Sequence, residues 1–295
     1  MGRRLLRSAA ATLLWLATAG ACPAQQAPAQ PAPRIVSLAP HLTELAFEAG
    51  IGDLLVGAVE WSDYPAAARE LPRIGDAFRF NLERILQLKA THALAWGGGT
   101  PPGAIAELEN LDLDVEVIEI RTLDQIARAI ERLGQLGDRQ AAAAERAAKF
   151  RRRRMNLELD SSGTQPVVDI FYQVSEKPLF TLGGRHVINE VFGLCGAGNL
   201  FGQMKTEAAS VDLEAVLARN PLAIVASDDG RGDPVAHWQN YPDLPAVACN
   251  NLLRVDPALL VRPTPRVLDG ARKLCQWLEA EVRPVEGRAC RTGHD

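Results

Sequence analysis

The chain has 295 residues, with 32 Lys and Arg against 36 Asp and Glu, a formal charge of −4 and 47% hydrophobic residues. This is the composition of an ordinary globular protein, long enough for one large domain or two, and it excludes a disordered chain, a collagen and a membrane bundle. The acidic balance argues against nucleic acid, and five cysteines without CxxC or Cys/His spacing build neither a disulfide mini-domain nor a zinc site.

At the N-terminus, Arg3, Arg4 and Arg7 precede an apolar run from Ala9 to Ala19. The run is too short to span a bilayer, which takes about 20 residues, and small residues close it. This layout predicts a secretory signal over residues 1–21, with Ala19 and Ala21 at −3 and −1 of a cut before Cys22. The cut also resembles a lipobox, so a lipid anchor on Cys22 stands beside plain export. Loss of the three arginines takes the formal charge from −4 to −7, and export places the protein in an oxidising compartment. Gln25 to Pro33 has no periodicity and makes 22–33 a disordered linker.

From there strands and helices alternate. Arg34–Leu38 predicts a buried strand, Thr43–Ala49 a helix with Gly50 just past its end, and Leu82–Leu88 a second helix. His92–Trp96 and Val115–Ile120 predict further strands, and the alternation implies α/β lobes with mostly parallel sheets. Asp138 to Leu159 holds the run Ala141–Ala144, alternating charges and no Gly or Pro, which predicts a helix about 33 Å long. Asp138 is its expected cap, and Gly163 with Pro166 its expected stop. Arg151 to Arg154 falls inside this helix and reads as a solvated face near its C-terminal end.

The chain also repeats itself. Glu44, Gly50, Gly52 and Leu54 recur as Glu190, Gly196, Gly198 and Leu200, and Asn81–Leu86 matches Asp212–Leu217 through to Ala95 and Ala226. Two similar Rossmann-like lobes are expected, at 34–121 and 161–284, joined by a helical segment at 122–160 and followed by a tail at 285–295. The two matches have different offsets, which assigns the first lobe an insertion at Val59–Phe80. It concentrates Trp61, Tyr64, Phe78 and Phe80 in a chain only 5% aromatic, and Pro65, Pro72 and Gly75 mark it as loop. Loops at the carboxyl ends of strands are where open α/β sheets bind ligands. Tyr64 and Trp96, the latter followed by Gly97–Gly99, are therefore expected ligand contacts. For Trp61, Phe78 and Phe80 both ligand contact and packing on the sheet stay open.

Arg34–Pro40, Thr43–Glu44, Ser62–Pro65, Asn81–Ile85, Phe180–Thr181 and Arg262–Arg266 resemble the periplasmic binding proteins of vitamin B12 and iron-chelate ABC importers. The likeness covers nearly all of 34–283 and is closest to the cobalamin-binding branch. The resemblance implies two α/β lobes on one long rigid helix, a shallow interlobe cleft with little closure, and a monomer that is not an enzyme. It makes Tyr64, Trp96 and Phe180 candidate cobalamin contacts, sensible because a corrin is a broad, partly apolar disc. Arg262 resembles a cleft arginine that meets propionamides or phosphate, with a surface role as the alternative. The pattern departs at Ala77 and Ala208, where the family carries tryptophans, and at Ala258, where it carries an acid. The resemblance further implies that Glu83 and Glu214 dock a dimeric permease in the inner membrane and that Cys195 and Cys275 form a disulfide. Cys249 and Cys290 either pair or stay free.

Other chemistries find less in the sequence. No HxH or HExxH occurs among the five histidines, so a metal carrier of this architecture has little support. His41 and His186 are nonetheless candidate axial ligands to cobalt or haem iron. No GxSxG or phosphate loop points to a hydrolase, and Ser227–Gly230 with Asp233 reads as a polar turn before a cation site. The alternative cargo is haem or a ferric siderophore, for which Arg79, Arg185, Arg231 and Arg262 supply charge. A pure scaffold leaves the aromatic insertion unexplained.

Overall fold

The computed structural model describes residues 31–160 and 166–285, and the described residues from Ala32 onward belong to one compact unit. The expected signal segment, Cys22, Gly163 and Cys290 lie outside the described residues.

The first lobe runs β1 (Ile35–Ser37), α1 (Pro40–Ala49), β2 (Leu55–Ala58), α2 (Leu82–Gln87), β3 (His92–Trp96), α3 (Pro102–Asn110) and β4 (Asp114–Ile118). Helices α4 (Leu123–Leu136) and α5 (Gln140–Asp160) follow. The second lobe runs β5 (Val168–Gln173), β6 (Phe180–Leu182), α6 (Ile188–Leu194), β7 (Ala197–Asn199), β8 (Ala208–Ser210), α7 (Leu213–Arg219), β9 (Ala223–Ser227), α8 (Pro245–Ala248), β10 (Leu252–Val255), α9 (Pro257–Leu260) and α10 (Val267–Trp277). No described helix is long and apolar enough to cross a membrane.

Two four-stranded parallel sheets result, ordered β2-β1-β3-β4 and β7-β5-β9-β10, the same topology twice. The repeat is visible residue by residue. Strand β3 ends at Trp96 where β9 ends at Ser227, and α2 and α7 both begin on the leucine before a glutamate. Gly50 and Gly196 end α1 and α6 with φ of 85° and 63°, a left-handed turn that glycine adopts without steric cost. At each of these turns an arginine then meets the bared carbonyls: Arg146, on α5, donates to Phe47 and Glu48, and Arg283 to Cys195 and Gly196. The symmetry loosens at the next strand, since β7 begins at Ala197 whereas Gly52–Leu54 forms a 3-10 turn before β2.

Helix α1 begins three residues earlier than expected, because Pro40 at its first turn loses no hydrogen bond there. The spine helix α5 has 21 residues, about 32 Å, but Asp138 is not its cap. Asp138 sits at φ 55° in the turn after α4, two residues before the helix starts. Three of the four arginines in the 151–154 run are ion-paired rather than merely solvated. Arg151 grips Glu131, Arg154 pairs with Glu158, and Arg153 reaches Asp269 on α10 at 2.6 Å. The capping box at Thr122 and Gln125, which starts α4, escaped the sequence reading.

The core is continuous between the lobes. One buried cluster runs from Ile35 and Leu94 through Ile126, Ile130 and Phe150 to Ile170, Phe192 and Leu268, so the inner faces of both sheets pack on shared helices. Separate clusters cover the outer faces, around Ile74 and Ile85 in lobe 1 and around Phe171 and Trp238 in lobe 2. Apolar burial on this scale, at about 25 cal/mol per Å2, opposes any large hinge motion. Two glutamates of the repeat then reach out of their own lobes. Glu44, 4% exposed, accepts from Nε and one terminal nitrogen of the Arg266 guanidinium at 2.9 and 2.7 Å, and Glu190 accepts the first N–H of α4, from Leu123, at 2.7 Å. Cys195 and Cys275 form a disulfide that ties α6 to α10.

Candidate functional site

The sheet order has a switch point between β1 and β3, where chain leaves the sheet in opposite directions and a crevice opens at the carboxyl ends. His41, in the first turn of α1, follows one strand, and Trp96 ends the other. In lobe 2 the segment from 174 to 187 leaves β5, pairs β6 with β8, and carries Phe180 and His186. Phe78, Leu182, Ala208 and Arg262 join these residues around a cleft of about 610 Å3. His41 lies in the first turn of α1 and His186 two residues ahead of the equivalent helix α6, one histidine per lobe but not at the same repeat position.

The glycines after Trp96 have a steric reason. A side chain at Gly99 would run into the Trp96 ring, so the loop folds flat against the indole. Thr100 fixes that turn, its Oγ accepting the Trp96 N–H at 2.9 Å while its own N–H reaches the Trp96 carbonyl at 2.8 Å. His41 meets the same ring edge-on, with centroids 5.4 Å apart.

The cleft's polar groups are few. His41 is 6% exposed, and its Nε2 is buried without a hydrogen-bond partner among the described residues. Burial, then the charge of Arg262 and the neighbouring His186, push its pKa down to about 3, so the ring is neutral. Burial likewise lowers His186 to about 4, against the raising effect of its bond to the Val261 backbone, while its Nδ1 accepts the Ile188 N–H at 3.1 Å. The Nδ1 of His186 is thus engaged, whereas the Nε2 of His41 is not.

Arg262 donates to Asp63 at 2.9 Å across the cleft mouth. Burial alone would raise the Asp63 carboxyl, but the hydrogen bond and charge of Arg262 hold it below the usual range. Of the four arginines considered for an anionic chelate, Arg262 lines the cleft, while Arg231 lies 5.8 Å over the Trp61 ring. The lobe 1 insertion therefore presents Trp61, Asp63 and Tyr64 to three arginines of lobe 2.

The expected contact residues separate into groups. Trp96, Phe180, Phe78, Arg262, His41 and His186 come together at the cleft. Tyr64 stands beside it: its ring lies 4.0 Å under the Arg266 guanidinium, at a cavity of about 180 Å3 shared with Glu44. Trp61 is 65% exposed outside the main cavity, and Phe80 packs on the outer core of lobe 1. Glu83 and Glu214 are exposed in the first turns of α2 and α7. Ala208 lines the cleft, and Ala258 is buried. The polar-turn reading of Ser227–Gly230 fits the hydrogen bonds: Asp228 accepts the Gly230 N–H, Asp229 the Arg231 N–H, and Asp233 is held by Arg254. No group of three metal-ligating side chains occurs among the described residues. Sequence reasoning missed Glu207, a cleft residue in an unremarkable polar stretch with no repeat partner or motif to flag it.

A family model described as a periplasmic binding protein matches residues 35–258. The chain is 39% identical over 251 residues to the vitamin B12-binding protein of Vibrio cholerae, covering 84% of this chain and 90% of that protein. It is 35% identical over 260 residues to the vitamin B12-binding protein of Yersinia pestis, covering 88% and 90%. The crystal structure of the periplasmic vitamin B12 binding protein BtuF of Vibrio cholerae superposes with a TM-score of 0.78 at 38% identity, over 86% of this chain and 99% of that one. The periplasmic haem-binding protein HutB of Vibrio cholerae shares the fold, with a TM-score of 0.71 at 23% identity over 83% and 98%.

Proposed function

The chain belongs to the periplasmic binding protein family, and on that premise we propose that it captures cobalamin or a related corrinoid in the interlobe cleft and hands it to an ABC transporter. Family membership implies a small-molecule ligand, a transporter partner and a periplasmic location, and the family is one of binding proteins, not enzymes. The observation that carries the corrinoid reading is the likeness to the Vibrio cholerae vitamin B12-binding protein, which extends across both lobes. The cleft supports it physically. Flat rings from both lobes, Trp96 and Phe78 against Phe180, suit a broad macrocycle, and a few polar groups at the edge suit its orientation. Tyr64 and Trp61 serve at the mouth, where the ligand's nucleotide portion would emerge, and Arg262 offers its remaining N–H donors there.

Haem or a ferric siderophore is the second reading, and the unpartnered Nε2 of His41 is what favours it. A neutral imidazole with a free nitrogen is a competent axial ligand for cobalt or iron. His186 is the weaker candidate, because ligation would cost it an existing hydrogen bond. Absorption spectra of the purified protein after addition of cyanocobalamin, haemin or a ferric siderophore separate the cargoes. The corrinoid reading predicts saturable binding of cyanocobalamin, and its absence alongside haemin binding overturns that reading.

Delivery uses Glu83 and Glu214 as a docking pair for a symmetric permease dimer, with the binding protein a monomer. Their exposure and equivalent positions in the two lobes support this, since a symmetric partner is best met by symmetric charges. Reversal of both charges abolishes cobalamin uptake through the cognate transporter while leaving binding in solution intact; unchanged uptake removes the docking role. Export by residues 1–21, with Cys22 either the mature N-terminus or a lipid anchor, completes the proposal. Mass analysis of the exported protein distinguishes the two.

A further inference from the structure

Among the residues lining the main cleft, two carry charge: Arg262 and Glu207. They are not equivalent. Arg262 is already compensated by Asp63 at 2.9 Å, whereas no hydrogen bond or ion pair holds the Glu207 carboxylate among the described residues. Glu207 comes from lobe 2, just before β8, and is anchored through its backbone, whose carbonyl accepts the Gly183 N–H at 2.8 Å. Its side chain crosses to lobe 1 and lies against Gly98, where any side chain would collide with the carboxylate. Burial raises the Glu207 pKa, and Arg121, Glu119 and Arg185 leave it raised. The carboxylate is therefore poorly hydrated at that end of the cleft, and an anion seated directly against it would meet like charge.

An uncompensated acceptor at the edge of an aromatic-walled cleft calls for a ligand with N–H donors on its rim and no anions there. We propose that Glu207 is a specificity-determining residue: its carboxylate accepts hydrogen bonds from peripheral amide N–H groups of the bound macrocycle and rejects macrocycles that carry carboxylates at those positions. The proposal rests on the corrinoid reading above and sharpens it, because a corrin's side-chain amides meet this requirement and the propionates of haem do not. Specificity of this kind needs both halves, an attraction to one ligand and a repulsion against its competitor.

Calorimetric titration of the wild-type protein and of Glu207→Gln tests this with three probes: cyanocobalamin, dicyanocobinamide, and dicyanocobyrinic acid, whose side chains are carboxylic acids. Wild type binds cyanocobalamin and prefers the cobinamide to the cobyrinic acid; in Glu207→Gln that preference falls by roughly tenfold or more, the size of one charge-assisted hydrogen bond. Glutamine keeps the shape and an acceptor oxygen, so a merely steric role would leave the preference unmoved. If wild type binds cyanocobalamin but the preference is the same in both proteins, the role of Glu207 is overturned while the corrinoid reading stands. If wild type binds none of the three, the corrinoid reading falls and the specificity role falls with it.

Discussion

The two lobes share a frame and differ in what is hung on it. Both have a four-stranded parallel sheet in the same order, a first helix ended by a left-handed glycine, and a short helix opening on a Leu-Glu pair. Lobe 1 spends its extra chain between β2 and α2, where Trp61, Asp63, Tyr64 and Phe78 gather. Lobe 2 spends its own between β5 and α6, on residues 174–187, where lobe 1 has Leu38 and Ala39 alone. Both excursions leave the carboxyl ends of strands and meet at the cleft. The repeated parts thus set positions and the unrepeated parts set the chemistry, as expected where stability resides in the sheet and binding in its loops.

Changes that strike one lobe alone test this division most strongly. The disulfide is in lobe 2: Cys195 ends α6, and the matching place at the end of α1 is Ala49. Closing a loop with a sequence separation of 80 stabilises by about 4–5 kcal/mol through chain entropy. Cys195→Ala with Cys275→Ala should lower the urea midpoint accordingly, and hydrogen exchange should rise first in α6 and α10. Equal exposure of both lobes would show that the shared core, not the lobe, is the cooperative unit.

Glu44 and Glu190 come next. Glu44→Ala strands a half-buried Arg266 and should cost about 3 kcal/mol or more. Glu190→Ala removes one hydrogen bond at a helix start and should cost about 1 kcal/mol. Chemical denaturation of the two variants measures the ratio, and equal losses would contradict the asymmetry between a buried ion pair and a cap.

Acid sharpens the comparison at the two histidines. Both are neutral in the folded protein, with pKa values near 3 for His41 and 4 for His186, while the unfolded chain protonates each near 6.5. Below 6.5 the unfolded state binds more protons, so their stabilising contribution is complete above that pH and is lost as pH falls toward 4 and then 3. His41→Gln should remove up to one proton from the pH dependence of stability between 6.5 and 3. An unchanged acid limb would mean that His41 is charged in the native state.

Much of the frame was legible in the sequence because it is periodic and repeated. β3 falls on its expected residues, and the offset of the second match carries Trp96 onto Ser227 at the ends of equivalent strands. What escaped depends on contacts between distant segments. Asp138 looks like a cap in one dimension, but the α4–α5 turn needs it in a left-handed conformation. Glu44 and Glu190 were visible as identities without a role, because Arg266 and the start of α4 reach them only in three dimensions. The excursion in lobe 2 hid because its aromatic content is a single phenylalanine. Tyr64 and Trp96 carried equal weight in the sequence, whereas the fold sets one against Arg266 and the other in the cleft wall.

The central claim is that one ligand is held by rings from both lobes at once. Calorimetry with cyanocobalamin on wild type, Trp96→Ala and Phe180→Ala tests it directly. The account predicts one site per chain and a loss of roughly 10–100-fold in affinity for either variant, about 2 kcal/mol of buried ring each. Wild-type affinity in both variants, or loss in only one of them, would contradict it.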